Sequence, residues 1–278
     1  MNFSHTIRRS AYASRLSAFA DFVFDDVAAF AHRGGWRAFF SRRIGADFNG
    51  RLIFDVGCAD AGYLARIATK HPTTAFIGLD WKYKAVHDGA AHVAANGVKN
   101  VALLRARAQD IRQIFTDGEV DEIWIFHPEP CDRAAELNNR LISEPFLIDV
   151  HHVLRDAASH LCLKTDHPGY CQWVLALFDL PEPAWFDADA RSRFARAGTP
   201  KLRVNDLMPP EQKPAASAML QTRFRIELNA PDFWQDARAQ EHVAQHAFAG
   251  ETTAYEARFL KKRQPIHYME WVKRLRDS

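Results

Sequence analysis

Cysteine is scarce, with four residues in 278, at 58, 131, 162 and 171. They form no CxxC pair and no zinc-like grouping with histidine, which reads as reduced thiols in a cytoplasmic protein and gives no metal site. Long apolar runs are missing too: no window approaches the about 18 uncharged residues that a membrane span needs. The N-terminal apolar stretch is interrupted by Asp21, Asp25 and Asp26, so it does not read as a secretory signal. No internal repeat is found, and no complete G-x-G-x-x-G fingerprint. Net charge is small, +2, which by itself excludes neither an acidic nor a basic partner.

What is abundant points to a folded core. Apolar residues make up 47% of the chain, and 20 phenylalanines and 7 tryptophans argue against disorder. The charge is unevenly spread. Residues 1–49 hold seven Arg or Lys against four Asp or Glu, and 258–278 hold seven against two, leaving the middle at −6. Basic ends on an acidic middle suit a polyanion touched at its margins, and suit ordinary basic tails equally well.

Residues 4–33 read as helical, with Phe19, Val23, Val27 and Phe30 about a turn apart. HRGGWRAFFSRRIG follows as a basic aromatic linker. Trp36 and Phe39 there either pack in a core or stack on a base. Together 1–49 are expected to form a basic helical extension to a domain spanning 50–278. Beyond it, RLIFDVG, AFIGLD, VALLRA, VDEIWIFH and HLCLKTD read as short strands separated by helical stretches. That alternation predicts an α/β fold, a mostly parallel sheet covered on both faces. QTRFRIEL (221–228) alternates in period two and predicts an antiparallel strand, with IHYMEWVKRL as its companion. RSRFARAG, inside the Pro- and Ala-rich 181–220 stretch, reads as exposed.

Ligands of such sheets bind beyond the strand C-termini, near the point where strand order reverses. DVGCADAGYL follows the first of these strands and puts Asp55 and Gly57 at a tight turn. One strand later GLD puts Asp80 at a strand end, where an acid either accepts ribose hydroxyls or caps the next helix. Ala59 and Ala61 occupy the other small-residue places. The loop therefore suits S-adenosylmethionine, which has no pyrophosphate to cradle, better than a dinucleotide.

These segments, with IFHPEPCDR, NNRLISEPFL, KTDHPGY and TAYEARFLKKRQPI, resemble the bacterial tRNA (guanine-N7)-methyltransferases, the TrmB family, over roughly 50–180 and 250–278. The resemblance implies a class I methyltransferase Rossmann-like fold with an antiparallel C-terminal strand, S-adenosyl-L-methionine as cofactor, tRNA as partner and methyl transfer to N7 of a guanine. It puts Glu129 where the family's substrate-facing Asp stands, and matches Asp166, Thr253 and Glu256 to further substrate-site positions. Glu129, Asp166 and Glu256 are thus the expected clamp on the guanine edge. Arg133 and Arg140 keep the charge of the family's basic run and join the substrate site. Asp55, Gly57 and Asp80 fall to the cofactor, with Arg107 or Asp110 on the adenine.

Several positions depart from the pattern. Cys131 replaces a tryptophan, Ala134–Asn139 fill mostly basic places, and Arg107 stands where an Asp is usual. The charge lost from 134–139 is expected to return through Arg8, Arg9, Arg33, Arg37, Arg42 and Arg43, or through Lys261, Lys262 and Arg263. The same departures keep two other readings open: a weak or silent relative that binds RNA or protein, and a small-molecule methyltransferase. His127 is expected to be a buried, hydrogen-bonded histidine. His151 and His152 are adjacent on a helix and cannot face one ion together.

Overall fold

The computed structural model describes residues 11–182, 208, 210–262 and 264–275. Eight strands form one sheet: β1 (Val23–Asp25), β2 (Leu52–Val56), β3 (Ala75–Asp80), β4 (Val101–Arg105), β5 (Glu122–Phe126), β6 (His160–Thr165), β7 (Phe224–Ala230) and β8 (His267–Lys273). Their order is β1-β4-β3-β2-β5-β6-β8-β7, and among the described strands β8 alone runs against the direction of the other seven. This is the Rossmann-like class I methyltransferase arrangement expected from the sequence. Strands β2 to β5 are buried along almost their whole length, so alternate residues fill two cores. Phe54, Ile77, Leu104 and Ile123 face one, and Ile53, Phe76, Leu103 and Trp124 the other.

The helices between them are α1 (Asp26–Ala31), α2 (Trp36–Ile44), α3 (Gly62–Lys70), α4 (Tyr83–Ala95), α5 (Ile111–Ile114), α6 (Glu144–Val153), α7 (Pro168–Leu177), α8 (Ala218–Arg223), α9 (Ala237–His242) and α10 (Ala254–Lys261). The chain leaves β2 for β3 and β4 on one side and resumes with β5 and β6 on the other. Order therefore reverses between β2 and β5, and the loops after these two strands meet at that switch point.

The N-terminal region departs from the expected single helix. Within its described part, a short 3-10 turn covers Ser14–Phe19, and Val23–Asp25 then pair in parallel with β4. Phe22, Val23 and Phe24 favour extended backbone, and Asp25 ends the strand by accepting the Ala28 amide at 2.9 Å to cap α1. The presumed linker is α2. Trp36 and Phe40 have no exposure, and the Trp36 indole donates to the Ile114 carbonyl at 3.0 Å. Glu119 receives the Gly34 and Trp36 amides at 3.0 Å each. Trp36 is thus core, and residues 23–44 add a strand and two helices to the sheet that follows. RSRFARAG, most of 181–220, Arg8, Arg9 and Arg263 lie outside the described residues.

The N-terminal arginines are also engaged. Arg33 donates to the Arg112 carbonyl at 2.8 Å, Arg37 to Asp121 at 2.7 Å, and Arg43 to the carbonyls of Lys99 and Asp21 at 3.0 Å. Lys99 and Asp121 precede β4 and β5, so Arg37 and Arg43 sit at the strand-start end of the sheet, away from the switch point. The predicted period-two strand begins at Phe224, three residues late, because Ser217 caps α8 ahead of it.

Trp36→Ala removes a fully buried indole together with its hydrogen bond. The expected loss is about 3–5 kcal/mol, read as a lower urea midpoint with little change in slope.

Candidate functional site

The first half of the site is the turn that follows β2. Gly57 takes φ +86°, and a Cβ there would meet nothing within 4 Å, so the turn faces open space. Its amide and that of Cys58 both donate to the Leu79 carbonyl, at 2.8 and 3.0 Å, which ties the turn to the end of β3. Ala59 and Ala61 occupy the left-handed region at φ +50° and +47°. They hold conformations that glycine adopts freely and L-residues adopt at about 1–2 kcal/mol each.

Two acids flank the turn. Asp55 is buried in β2, and its burial, then the nearby Asp80, pushes its carboxyl up to about 7. Asp80 at the end of β3 is also raised by burial, although the Lys82 amide, donating at 2.8 Å, opposes this. That bond lies at the start of α4, so Asp80 also helps cap the helix. Two carboxyls reluctant to ionise, beside a turn with no side chain in the way, fit a ligand that carries positive charge and ribose hydroxyls. The residues present therefore fit S-adenosylmethionine. Beyond β4, Arg107 is exposed and Asp110 half-buried. Asp110 accepts from Gln113 at 3.4 Å.

The second half is the tip that follows β5. His127 sits at φ +55° with its amide on the Lys164 carbonyl at 2.8 Å, so the backbone turns sharply between β5 and β6. Its Nδ1 lies 2.8 Å from Asp166 Oδ1, while the buried Nε2 has no hydrogen-bond partner. Its ring lies 5.1 Å from Tyr255 and stacks at 6.2 Å on Phe259. Tyr255 is 47% exposed, so an aromatic face is open to solvent beside the acids. Its hydroxyl is pushed up by burial, then by Asp166, with a smaller contribution from Glu129. Glu129 is exposed and Asp166 half-buried, and the charge of each reaches the Tyr255 hydroxyl. Sequence reasoning missed Tyr255, although TAYE was in view, because the motif does not say which of its residues is wet.

Three expected substrate residues, Glu256 with Thr253 and then Arg140, have other tasks. Glu256 has no exposure: Oε1 takes the Lys164 ammonium at 3.0 Å, and Oε2 the Thr253 amide at 2.8 Å. Thr253 Oγ1 accepts the Glu256 amide at 3.0 Å in return, completing a capping box at the start of α10. Burial works against the charge of Glu256, but Lys164, His127 and the Thr253 amide outweigh it and hold the carboxyl below its usual range. Glu256 therefore leaves the guanine clamp, and Thr253 serves as a helix cap. Arg140 is the third. It is buried, donates to the Pro130 carbonyl at 2.7 Å, and lies 5.4 and 5.1 Å over the rings of Tyr170 and Trp173. It braces the tip from inside and offers no charge to a phosphate. Arg133, with a side chain 84% exposed, keeps that option.

Residues 49–184 match the family model described as a putative methyltransferase. The chain is 31% identical over 137 residues to a tRNA (guanine-N(7)-)-methyltransferase of Cytophaga hutchinsonii, covering 49% of this chain and 59% of that one. It is 29% identical to a protein of the same name from Bdellovibrio bacteriovorus, covering 56% and 73%. The match thus spans less than two thirds of the first relative and nearly three quarters of the second. Among solved structures, the 16S rRNA methyltransferase KamB shares 17% identity with a TM-score of 0.49, over 85% of this chain and 94% of that one.

Glu256→Gln leaves the Lys164 ammonium buried without a counter-charge. The expected cost is about 3–5 kcal/mol, and pairing the change with Lys164→Met should recover most of it. Thermal and urea unfolding check this. A clamp on substrate would instead lose transfer at an unchanged melting midpoint.

Proposed function

We propose that this chain, which over about half its length is similar to bacterial tRNA (guanine-N7)-methyltransferases, transfers a methyl group from S-adenosyl-L-methionine to N7 of a guanine in tRNA. One observation carries the reading: Asp166 and the exposed Tyr255 both lie against His127, with the charge of Glu129 reaching the Tyr255 hydroxyl, at the loop across the switch point from Asp55, Gly57 and Asp80. Bound S-adenosylmethionine supplies a methyl carbon on a sulfonium, activated for in-line displacement. Guanine N7 has a lone pair and no proton, so no general base is needed. The N7–carbon bond forms as the carbon–sulfur bond breaks, and positive charge passes to the base.

The work of the chain is orientation and charge placement. Glu129 and Asp166 accept the guanine's N1 and amino hydrogens and offset the charge that develops on the ring. His127 holds the Asp166 carboxylate by its Nδ1 and is a positioning residue. Tyr255 offers its face to the base, a contact worth about 1–3 kcal/mol. The exposed Arg258, Lys261 and Lys262 on and just after α10 neighbour that ring and supply charge for phosphates in place of 134–139. Asp55 and Asp80 hold the donor, with Arg107 and Asp110 beyond β4 at its adenine end.

The buried, inward-turned Arg140 and the absence of basic residues from 134–139 favour a second reading, a relative that binds RNA without transferring methyl groups. Purified protein, radiolabelled donor and tRNA from a strain deleted for its gene decide between them. Label recovered as 7-methylguanine after nuclease digestion supports transfer. Retained RNA and donor with no label in the RNA would overturn it. Glu129→Gln should lower the rate about tenfold or more with donor affinity unchanged, since one such contact is worth about 1–3 kcal/mol.

Donor binding should also depend on pH. Asp55 titrates at about 7 in the free protein, and a cationic ligand favours its ionised form. Affinity is then full above pH 7. Below it, affinity falls by up to about tenfold per unit until the lower pKa of the complex is reached. Calorimetry between pH 5.5 and 8.5 (roughly the window) reads this, and Asp55→Asn should flatten the profile.

A further inference from the structure

Away from the switch point, at the strand-start end of the sheet, imidazoles and carboxylates are buried together in a way the methyltransferase reading does not use. Glu270 of β8 has no exposure and stands at the centre. Its Oε1 lies 2.7 Å from His160 Nδ1 and 3.2 Å from His246 Nε2, and its Oε2 lies 3.1 Å from His242 Nε2. The donor atoms of His160, His246 and Glu270 all fall within 4.8 Å of one another. From these contacts we infer a site for a single divalent transition-metal ion, zinc by preference, held by His160, His246 and Glu270, with His242 turning in as the fourth ligand from its place against the other Glu270 oxygen.

Four features point to an ion over a chance polar cluster. His242 and His246 are four residues apart, where α9 runs into a further helical turn, so both rings reach the same side. His160 comes from the first residue of β6 and Glu270 from β8, which places the four residues on three elements around one carboxylate. The far nitrogen of His246, Nδ1, lies 2.8 Å from the fully buried Glu122 carboxylate. A carboxylate on the other ring nitrogen is the usual support of a metal-bound imidazole, fixing its tautomer so that Nε2 presents a lone pair. Finally, His242 Nε2 is buried and makes no well-aligned hydrogen bond to Glu270 despite the short approach.

Three imidazoles and one carboxylate suit zinc, which takes nitrogen ligands at about 2.0–2.1 Å and oxygen at about 2.0–2.2 Å in a tetrahedron. Ligands so placed stand a little over 3 Å apart, so Glu270 slides outward from His160 and His246 to admit the ion, and His242, now against the other carboxylate oxygen, turns in to complete the set. The site lies roughly 15–20 Å along the sheet from His127 and Asp166. Its chemistry is therefore structural: it pins the segment around α9 to β6 and β8. The sequence hid it because the ligands come from distant segments, and Cys162, which lies beside Glu122 and His246, has no nearby cysteine in the sequence to flag it.

The test uses untagged full-length protein, treated with chelator and titrated with zinc and, separately, with cobalt. One ion per chain, and the visible absorption of four-coordinate cobalt, are expected. So is a rise in melting temperature of about 5 °C or more at a thousandfold excess over the dissociation constant. His242→Ala, at the rim of the cluster, should fold and bind zinc at least about tenfold more weakly, as should His160→Gln. Failure of the wild-type protein to take up a stoichiometric ion would overturn the inference. So would uptake that both variants leave unchanged, since the ion would then sit elsewhere.

Discussion

A lysine ammonium with no contact to water must be neutralised where it lies, and Lys164 is such a group. Four aromatic rings surround it, with Phe233 at 4.4 Å, Phe126 at 4.7 Å, Phe248 at 4.9 Å and Trp234 at 5.5 Å. Their faces favour a cation, but they do not replace a counter-ion in a desolvated pocket. Only Glu256 closes the charge, and it comes from the far end of the chain. Neutralising Lys164 therefore fixes the start of α10 against the end of β6. Once α10 is fixed, Tyr255 and Phe259 have no choice but to lie on His127, and the Lys164 carbonyl already holds the His127 amide. The tip, the acid at 166 and the exposed ring at 255 are arranged by one buried ion pair that touches no substrate.

The same pair shows where reading the sequence stops. Strands β2 to β6 were legible because a parallel sheet is dry on both faces and writes itself as unbroken apolar runs. Asp55, Gly57 and Asp80 were legible because their place at strand ends follows from the strands. Glu256 was visible as part of a motif, but whether a carboxylate faces a base or a lysine depends on what stands opposite, some ninety residues away in the chain. Arg140 misleads in the same way: its charge is plain, while its direction is set by Pro130, Tyr170 and Trp173. Strand β1 escaped notice because three residues carry no period, and its partner, β4, is distant in sequence.

Backbone strain gathers at the switch point. Ala59, Ala61, His127 and Cys131 all adopt φ between about +47° and +55°. These values fall in the two loops that meet between β2 and β5. Each position costs on the order of 1 kcal/mol or more and persists only because the surroundings over-determine it. Ala61 is held by Gly89 of α4, where an added Cβ would come within 3.0 Å of the Ala61 Cβ. Ala61 thus packs against α4, a contact that glycine at 61 could not make. Alanine at 61 exchanges backbone ease for helix packing.

Spacing without access does not make chemistry. Cys171 Sγ lies 3.1 Å from His267 Nδ1, and His267 Nε2 lies 2.7 Å from Asn229 Oδ1, the order of groups that activates a thiol elsewhere. Here both side chains are buried, at 1% and 2% exposure. Burial pushes the Cys171 thiol up and the His267 imidazole down to about 3, so neither the thiolate nor the imidazolium is favoured. Their alignment is therefore packing. The acids at 129 and 166 differ in one respect that matters: solvent, and hence a base, can reach them.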